Sequence, residues 1–135
     1  MPTTTSLTLT QAQNLIARAC EKATSDFKRP ICVAVCDASG FLIAFARMDG
    51  APIRSIEISR RKAFTAVRMG MPTDAFLTRV QKENWQASYF GEDMLPLPGG
   101  NPIKDASGAI IGGIGISGLA ASEDQVISEA MVALT

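Results

Sequence analysis

The sequence predicts an α/β (α+β) protein with a central antiparallel sheet of four or five strands and helices packed on it. Three observations support this prediction. Helical patterns open and close the chain, a strand–turn–strand pattern occurs twice around the same Asp-Ala-Ser-Gly turn, and two more helical segments separate the two occurrences. The resulting element order is αββααββα.

The first helix is predicted over residues 10–27, where apolar residues recur along one helical face. Thr10 and Gln13 match the capping box that marks a helix start, and Pro30 ends the connection that follows. We therefore expect this helix to pack one face on the sheet.

Two strands follow, at 31–37 and 41–48, because both segments are rich in β-branched and aromatic residues. The turn at 37–40 and its exact repeat at 105–108 supply the residue types that hairpins need. Two matching hairpin turns predict an antiparallel meander.

The helices between the hairpins are predicted at 55–69 and about 74–85, the latter capped by Thr73, and residues 86–101 are predicted to be irregular. A terminal helix begins at Ser122, which forms a second capping-box pattern with Gln125.

Composition limits the classes of function. The 135 residues (1–135) are predicted to form a single domain, and 13 basic residues balance 13 acidic ones. We therefore expect neither nucleic acid nor a membrane surface as a partner. No apolar segment is long enough for a membrane span, and the first residues lack a signal-peptide pattern. The sequence thus predicts a cytoplasmic protein.

The chain contains no histidine, which excludes Ser-His-Asp and Cys-His catalysis and most zinc sites; no metal site is predicted. The three cysteines do not form a disulfide pattern. Cys32 and Cys36 share one face of a strand and are expected to be small core residues.

A Gly-rich segment near the C-terminus, Gly113 to Gly118, has the G-x-G-x-x-G spacing of a dinucleotide-binding turn. Only one helix can follow it, and the glycines lie within the strand, so a Rossmann site is excluded. Even positions 110, 114 and 116 are isoleucine and predict a core face. The opposite face, at Gly113, Gly115 and Ser117, is almost bare: either a helix packs closely on it or it is the floor of a ligand pocket.

Three polar side chains and two backbone amides are the remaining candidates for a site. Arg47 and Asp49 lie at the end of the second strand, where a surface ion pair and a cleft mouth are both consistent with the pattern. Lys62 lies in a run of three cations, of which we expect one to point inward. The amides of Gly99 and Gly100 are positioned to hold an anion, although the pair is also typical of an ordinary turn.

Taken together, short motifs in a fixed order resemble the GlcG/HbpS family, which includes the C-terminal domain of PduO-type corrinoid adenosyltransferases. They are Val-Cys-Asp-Ala-Ser-Gly at 35–40, Arg-Met-Asp-Gly-Ala at 47–51, Lys-Ala-Phe-Thr-Ala at 62–66, Gly-Gly-Asn-Pro-Ile at 99–103, and Ile-Gly-Gly-Ile-Gly-Ile-Ser-Gly at 111–118 with Asp124. The resemblance covers nearly the whole chain.

The resemblance implies a profilin-like fold, assembly into a homo-oligomer and, in some members, haem binding. Other members are encoded beside enzymes that break down small organic acids or aromatics. Haem in characterised members is ligated by histidine, which this chain lacks, as it lacks the Glu-x-x-Glu iron site of HbpS-type members. Cysteine, methionine and tyrosine can also ligate haem iron; Cys20, Met48 and Tyr89 are candidates, and nothing in the sequence selects one of them.

The sequence leaves more than one function open. The first is a module that binds haem or a small organic acid on the face formed by Gly99, Gly100, Gly113, Gly115 and Ser117. The second is a cofactor-independent hydratase, isomerase or lyase acting on a small carboxylate or carbonyl compound. In that enzyme Arg47 would hold a carboxylate, Asp49 or Glu83 would transfer the proton, and Lys62 is a further candidate base. A purely structural protein is the third.

Overall fold

The computed structural model describes residues 6–135 and confirms the order αββααββα. The elements are helix α1 (Leu9–Lys22), strands β1 (Cys32–Asp37) and β2 (Leu42–Arg47), helices α2 (Ser55–Met69) and α3 (Thr73–Glu83), strands β3 (Gly100–Lys104) and β4 (Ile110–Ser117), and helix α4 (Ala121–Val132). A wider π turn, Ala23–Phe27, continues α1, and a 3₁₀ turn, Ala87–Phe90, lies in the segment predicted to be irregular.

The cap of helix α1 is Thr8, two residues before the predicted cap Thr10. Thr8 and Gln11 form the capping box: the Gln11 amide donates to Thr8 Oγ1 (3.1 Å) and the Thr8 amide donates to Gln11 Oε1 (2.9 Å). Leu7 is buried and its amide donates to the carbonyl of Ile111, which fixes the chain just before Thr8. The prediction of Thr10 and Gln13 as the cap is therefore wrong.

The sheet is antiparallel throughout, with four strands in the order β2-β1-β4-β3. The meander prediction is wrong, because β2 and β3 are not neighbours; α2 and α3 separate them, and the chain returns so that β4 pairs with β1. Each hairpin is closed by its Asp-Ala-Ser-Gly turn, as predicted.

The two turns have the same hydrogen bonds as well as the same sequence. Asp37 Oδ1 accepts from the amides of Ser39 (2.9 Å) and Phe41 (3.0 Å). Asp105 Oδ1 accepts from the amides of the corresponding residues, two and four positions later, at 2.9 and 3.1 Å. A carboxylate that satisfies local amides stabilises each turn without help from the rest of the fold.

Helices lie on both sides of the sheet. Helices α1 and α4 cover the side that carries Val33, Val35, Ile114 and Ile116, and these side chains form the main apolar core. Helix α2 covers the other side, where it lies across β4, β1 and β3. Cys32 and Cys36 are buried on this second side of β1, as predicted, and all three cysteines are free thiols.

The predicted core face of β4 holds at Ile114 and Ile116 but not at Ile110. Strand β3 pairs Ile103 with Gly112 and Lys104 with Ile110, so Ile111 is an extra residue on β4. Such a bulge reverses the alternation of faces. Ile110 therefore packs on the α2 side and Ile111 on the α1 side.

Within residues 6–135, every helix is too short or too polar to cross a membrane.

Candidate functional site

The predicted inward-pointing cation is Lys62. It lies on α2 in the buried stripe that also contains Ser55, Ser59 and Ala66, so the helical period directs it at the sheet. Its ammonium donates to the carbonyl of Ile116 (2.8 Å) and to Asp124 Oδ2 (3.1 Å). Lys62 is 1% exposed and is among the largest fully buried side chains of the described residues.

Asp124 is the partner that makes this burial possible. It lies in the first turn of α4, where a carboxylate is favoured by the helix dipole, and its Oδ1 accepts from the amide of Leu119 (3.1 Å). Because α2 and α4 lie on opposite sides of the sheet, the ion pair joins the two helix layers beyond the end of β4.

Burial is the larger influence on both groups of the pair. Loss of solvent lowers the pKa of Lys62 and raises the pKa of Asp124, and the mutual attraction of the two charges opposes both shifts. An amine and a carboxylate that are both brought towards neutrality are typical of functional sites, although structural ion pairs have the same property.

A cavity of about 110 Å³, the Lys62 cavity, lies next to the ion pair of Lys62 and Asp124. Ser117, at the end of β4, donates its hydroxyl hydrogen to the hydroxyl oxygen of Ser55, the first residue of α2 (3.2 Å). The lining is polar at this end and apolar elsewhere, and consists of Arg54, Ser55, Ile58, Lys62, Leu97, Ser117, Gly118, Leu119, Ala121 and Asp124. Lys62 and Ser117 are thus brought together.

Gly99 and Gly100 lie beside this cluster, but their amides are not free to hold an anion. The Gly99 amide donates to Gln125 Oε1 (2.6 Å), and the Gly100 amide donates to Thr73 Oγ1 (2.8 Å). Their assignment as ligand-binding amides is therefore corrected to a structural one. The same hydrogen bonds explain why the caps predicted at Thr73 and Gln125 do not form. Both side chains bind this loop and do not cap their own helices.

Gly99 is required by geometry. Its φ is +126°, and a Cβ there would lie 2.7 Å from Lys62 Nζ and 2.6 Å from the carbonyl oxygen of Ile116. The lysine reaches its two acceptors only because this position carries no side chain.

The bare face of β4 lies under α2. A Cβ at Gly115 would be 2.0 Å from the carbonyl oxygen of Ser59, and one at Gly113 would be 2.5 Å from Val67 Cγ2. Of the two interpretations of this face, these distances support close helix packing, and the assignment of Gly113 and Gly115 to a pocket floor is corrected accordingly. Ser117 is the member of the face that lines a cavity.

Arg47 and Asp49 are exposed and do not line the Lys62 cavity. Arg47 pairs with Cys32, which pairs in turn with Ser117, so Arg47 shares the α2 side of the sheet but lies two strands away. That separation is about 10 Å. Glu83 is exposed at the end of α3. The arrangement proposed for a cofactor-independent enzyme is therefore not assembled in the described chain.

Arg54, Ser55 and Asp124 line the cavity but are not among the predicted site residues. One pattern in the sequence indicates a buried polar face on α2: the helical stripe formed by Ser55, Ser59, Lys62 and Ala66. The acidic partner of Lys62 lies on a different helix, 62 positions away in sequence, and no local pattern indicates it.

Two other concavities lie along α1. One, of about 370 Å³, is bounded by α1, the β3–β4 hairpin and the last residues of the chain. The other, of about 480 Å³, is an open depression on the outer face of α1, lined by Ala17, Cys20, Glu21, Thr24 and Ser25. Cys20 is half-buried there, and burial raises the pKa of its thiol.

Aromatic residues of α3 and of the segment after it form a small cluster. Phe90 contacts Phe76 and Trp85 edge to face, with ring centroids 5.6 and 5.4 Å apart. Tyr89 points away from them and is 66% exposed. The cluster fixes the segment after α3.

Residues 7–133 match the model of the HbpS-like family, described as haem degrading protein HbpS-like. The chain belongs to this family. Among curated relatives, it is 30% identical over 129 residues to an uncharacterized 15.0 kDa protein of the dhaT-dhaS intergenic region of Citrobacter freundii, covering 91% of this chain and 87% of that protein. It is 28% identical to the corrinoid adenosyltransferase PduO of the same organism, but spans only 37% of its length.

Solved structures agree with the family assignment. A crystal structure of HbpS is similar with a TM-score of 0.89 and 34% identity, covering 99% of this chain and 93% of that one. The crystal structure of a PduOC:heme complex is similar with a TM-score of 0.85 and 28% identity, covering 96% and 95%. The HbpS-like fold of this chain thus includes nearly all of its residues.

Proposed function

We propose that this protein binds haem, and that the open depression on the outer face of α1 is the site. The observation that carries the proposal is the similarity of almost the whole chain to a domain solved in complex with haem. The chemistry of the donors in this chain then selects the place.

The chain has no histidine, so a bound iron would need a sulfur or phenol ligand. Cys20 is the half-buried cysteine and lines the depression, whereas Cys32 and Cys36 are buried in the sheet. The Met48 sulfur lies 3.4 Å from the Ile31 amide, which donates to it, and Tyr89 projects into solvent. Cys20 is therefore the donor that best fits the iron.

The depression is open and is lined by five residues, so haem would lie with one face against it and not inside an enclosed pocket. Its volume of about 480 Å³, like the volume of about 370 Å³ of the cavity beside the β3–β4 hairpin, is within the range of sites for organic cofactors, which is roughly 300–1,000 Å³. Ala17 and the methyl group of Thr24 offer apolar surface to a flat ring beside the thiol. Bound haem would supply a redox-active iron; the protein would supply the sulfur ligand and the apolar contact.

The test is a titration of the purified protein with haemin, read by absorbance. We expect a sharp Soret band that saturates at one haem per chain or per dimer, and loss of that band in Cys20→Ala. Cys32→Ala is the matched control, because it removes a buried thiol on the other side of the sheet and should leave the band unchanged.

Two results would contradict the proposal. A broad band that does not saturate would mean nonspecific adsorption of haemin. An unchanged, saturating band in Cys20→Ala would place the ligand elsewhere, and Met48→Leu and Tyr89→Phe would then identify it.

We also propose that the protein forms a homo-oligomer. Strand β2 is an edge of the sheet, and Phe41 and Leu42 at its start are 65% and 51% exposed. An exposed strand edge with apolar side chains favours association. Light scattering of the purified protein gives the subunit count, and a monomeric mass would contradict the proposal.

A further inference from the structure

Lys62 and Ser55, which line the Lys62 cavity, each have one proton beyond the hydrogen bonds that they donate within residues 6–135. An ammonium carries three protons, and Lys62 uses two of them, for the Ile116 carbonyl and for Asp124. Ser117 donates to Ser55, so the Ser55 hydroxyl keeps a proton of its own. Both residues are almost completely buried and both line the cavity.

Each oxygen of Asp124 already accepts one hydrogen bond, Oδ2 from Lys62 and Oδ1 from the Leu119 amide. A molecule that enters the cavity meets the remaining protons of Lys62 and Ser55, and an acceptor atom on that molecule would gain hydrogen bonds there. Acceptor-rich molecules are the ones that this lining stabilises.

The charge of the lining favours an anion with one negative charge. Lys62 and Asp124 neutralise each other. Arg54 is exposed at the mouth of the cavity and forms no ion pair within residues 6–135. The lining therefore has a net charge of about one positive unit. The first turn of α2, which begins at Ser55, adds the positive end of a helix dipole.

Size limits the ligand further. A cavity of about 110 Å³ is well below the roughly 300–1,000 Å³ of sites that bind drug-sized ligands, so it suits a ligand of only a few non-hydrogen atoms. Haem and aromatic acids are too large. From donors, charge and volume together, we propose that this cavity is a second binding site, specific for a small monocarboxylate, with Lys62 and Ser55 holding the carboxylate and Arg54 attracting it.

This proposal does not depend on haem binding, because the depression on α1 and the Lys62 cavity share no lining residue. The test is a titration of the ¹⁵N-labelled protein with sodium acetate at constant ionic strength, followed by amide NMR. Acetamide, which is nearly the same shape but uncharged, is the matched ligand. We expect saturable shifts of the Gly118 and Leu119 amides with acetate and none with acetamide.

Variants separate this site from the rest of the surface. Arg54→Gln changes an exposed residue, so the protein should fold normally, and we expect it to weaken acetate binding by about fivefold, with Arg54→Lys restoring most of it. Ser117→Val should abolish binding by filling the cavity. Arg18→Gln is the control, because Arg18 lines the larger cavity beside α1.

Three results would overturn the proposal. They are shifts that do not saturate, equal responses to acetate and acetamide, and a loss of binding in Arg18→Gln as large as the loss in Arg54→Gln. The last result would assign the carboxylate to the cavity between α1 and the β3–β4 hairpin.

Discussion

The two sides of the sheet are packed by different means. On the α1 and α4 side, isoleucine and valine side chains from β1 and β4 fill the space between the layers. On the α2 side, β4 presents glycine, and the helix backbone approaches so closely that its own carbonyl groups take the place of side chains. Small changes of volume should therefore be tolerated on the first side, whereas β4 has no room for a side chain at Gly113 or Gly115 under α2.

Buried polar groups occur on both sides of the sheet, but their charges differ. Asn101, Gln125 and Ser128 form a neutral hydrogen-bonded cluster at α4, whereas the α2 side carries a buried cation, Lys62, beside Ser55. The Asp124 carboxylate neutralises this lysine from α4. The buried cation thus lies on the side where helix and strand backbones approach most closely, whereas the proposed haem site lies on the outer face of α1.

The largest expected effect is that of Gly115→Val. The new side chain would overlap the Ser59 carbonyl and the Ala63 amide, and neither backbone group can move without displacing α2. We expect a loss of more than about 4 kcal/mol in the free energy of unfolding, enough to prevent folding. Urea denaturation measures it.

The matched control for that variant lies on the other side of the same strand. Ile114→Val removes one methyl group from the apolar core and should cost only about 1 kcal/mol. If Gly115→Val unfolds at a urea concentration close to that of Ile114→Val, the two sides do not differ as described.

Lys62→Met should have the next largest effect. Removing the ammonium leaves the Asp124 carboxylate buried without its charge partner, which typically costs about 3–5 kcal/mol. The double variant Lys62→Met with Asp124→Leu removes both charges and should recover most of that stability. Thermal or urea unfolding of the wild type, Lys62→Met, Asp124→Leu and the double variant gives the coupling energy of the pair. A double variant that is less stable than Lys62→Met would show that the pair itself stabilises the fold.

The smallest perturbation is chemical labelling, which leaves the sequence unchanged. Cys36 lies under α2, is 2% exposed, and burial raises the pKa of its thiol to about 12. Because only the thiolate reacts, Cys36 should resist iodoacetamide at pH 8, whereas the half-buried Cys20 on α1 should react first.

Mass spectrometry of digested samples gives the order of reaction. The raised pKa of Cys36 also implies that its contribution to stability is complete below about pH 9 and is lost as the pH rises towards 12. Labelling of Cys36 before Cys20 would mean that α2 opens more readily than its close packing indicates.

Much of the fold follows from local patterns in the sequence. Repeated Asp-Ala-Ser-Gly turns predict two hairpins because each aspartate satisfies amides only two and four residues away. The helices follow from apolar periodicity. Thr8 and Thr10 both fit the capping-box pattern, and the pattern alone does not distinguish them. Thr8 is the cap because Leu7 packs against β4, which is a tertiary contact.

The site was less predictable for the same physical reason. The sequence indicates that one of three consecutive cations, Arg60, Arg61 and Lys62, points inward. It does not indicate the acceptors of Lys62, because they belong to β4 and α4. The amides of Gly99 and Gly100 looked free in sequence, and only the fold brings Gln125 and Thr73 to them. Which side chains meet across large sequence separations depends on how the helices pack on the sheet. No local sequence pattern specifies that packing.

The strand order has a consequence for how the chain folds. Each hairpin closes a short loop, so β1–β2 and β3–β4 can each form rapidly and independently. The pairing of β1 with β4 joins residues 32–37 to residues 112–117, which are far apart in the sequence. The sheet surface on which α2 packs is complete only after these two strands have paired. Docking of the two hairpins should therefore limit the folding rate, and a circular permutant that links the present termini and opens the chain between β2 and β3 would bring the slow pairing closer in sequence and accelerate it.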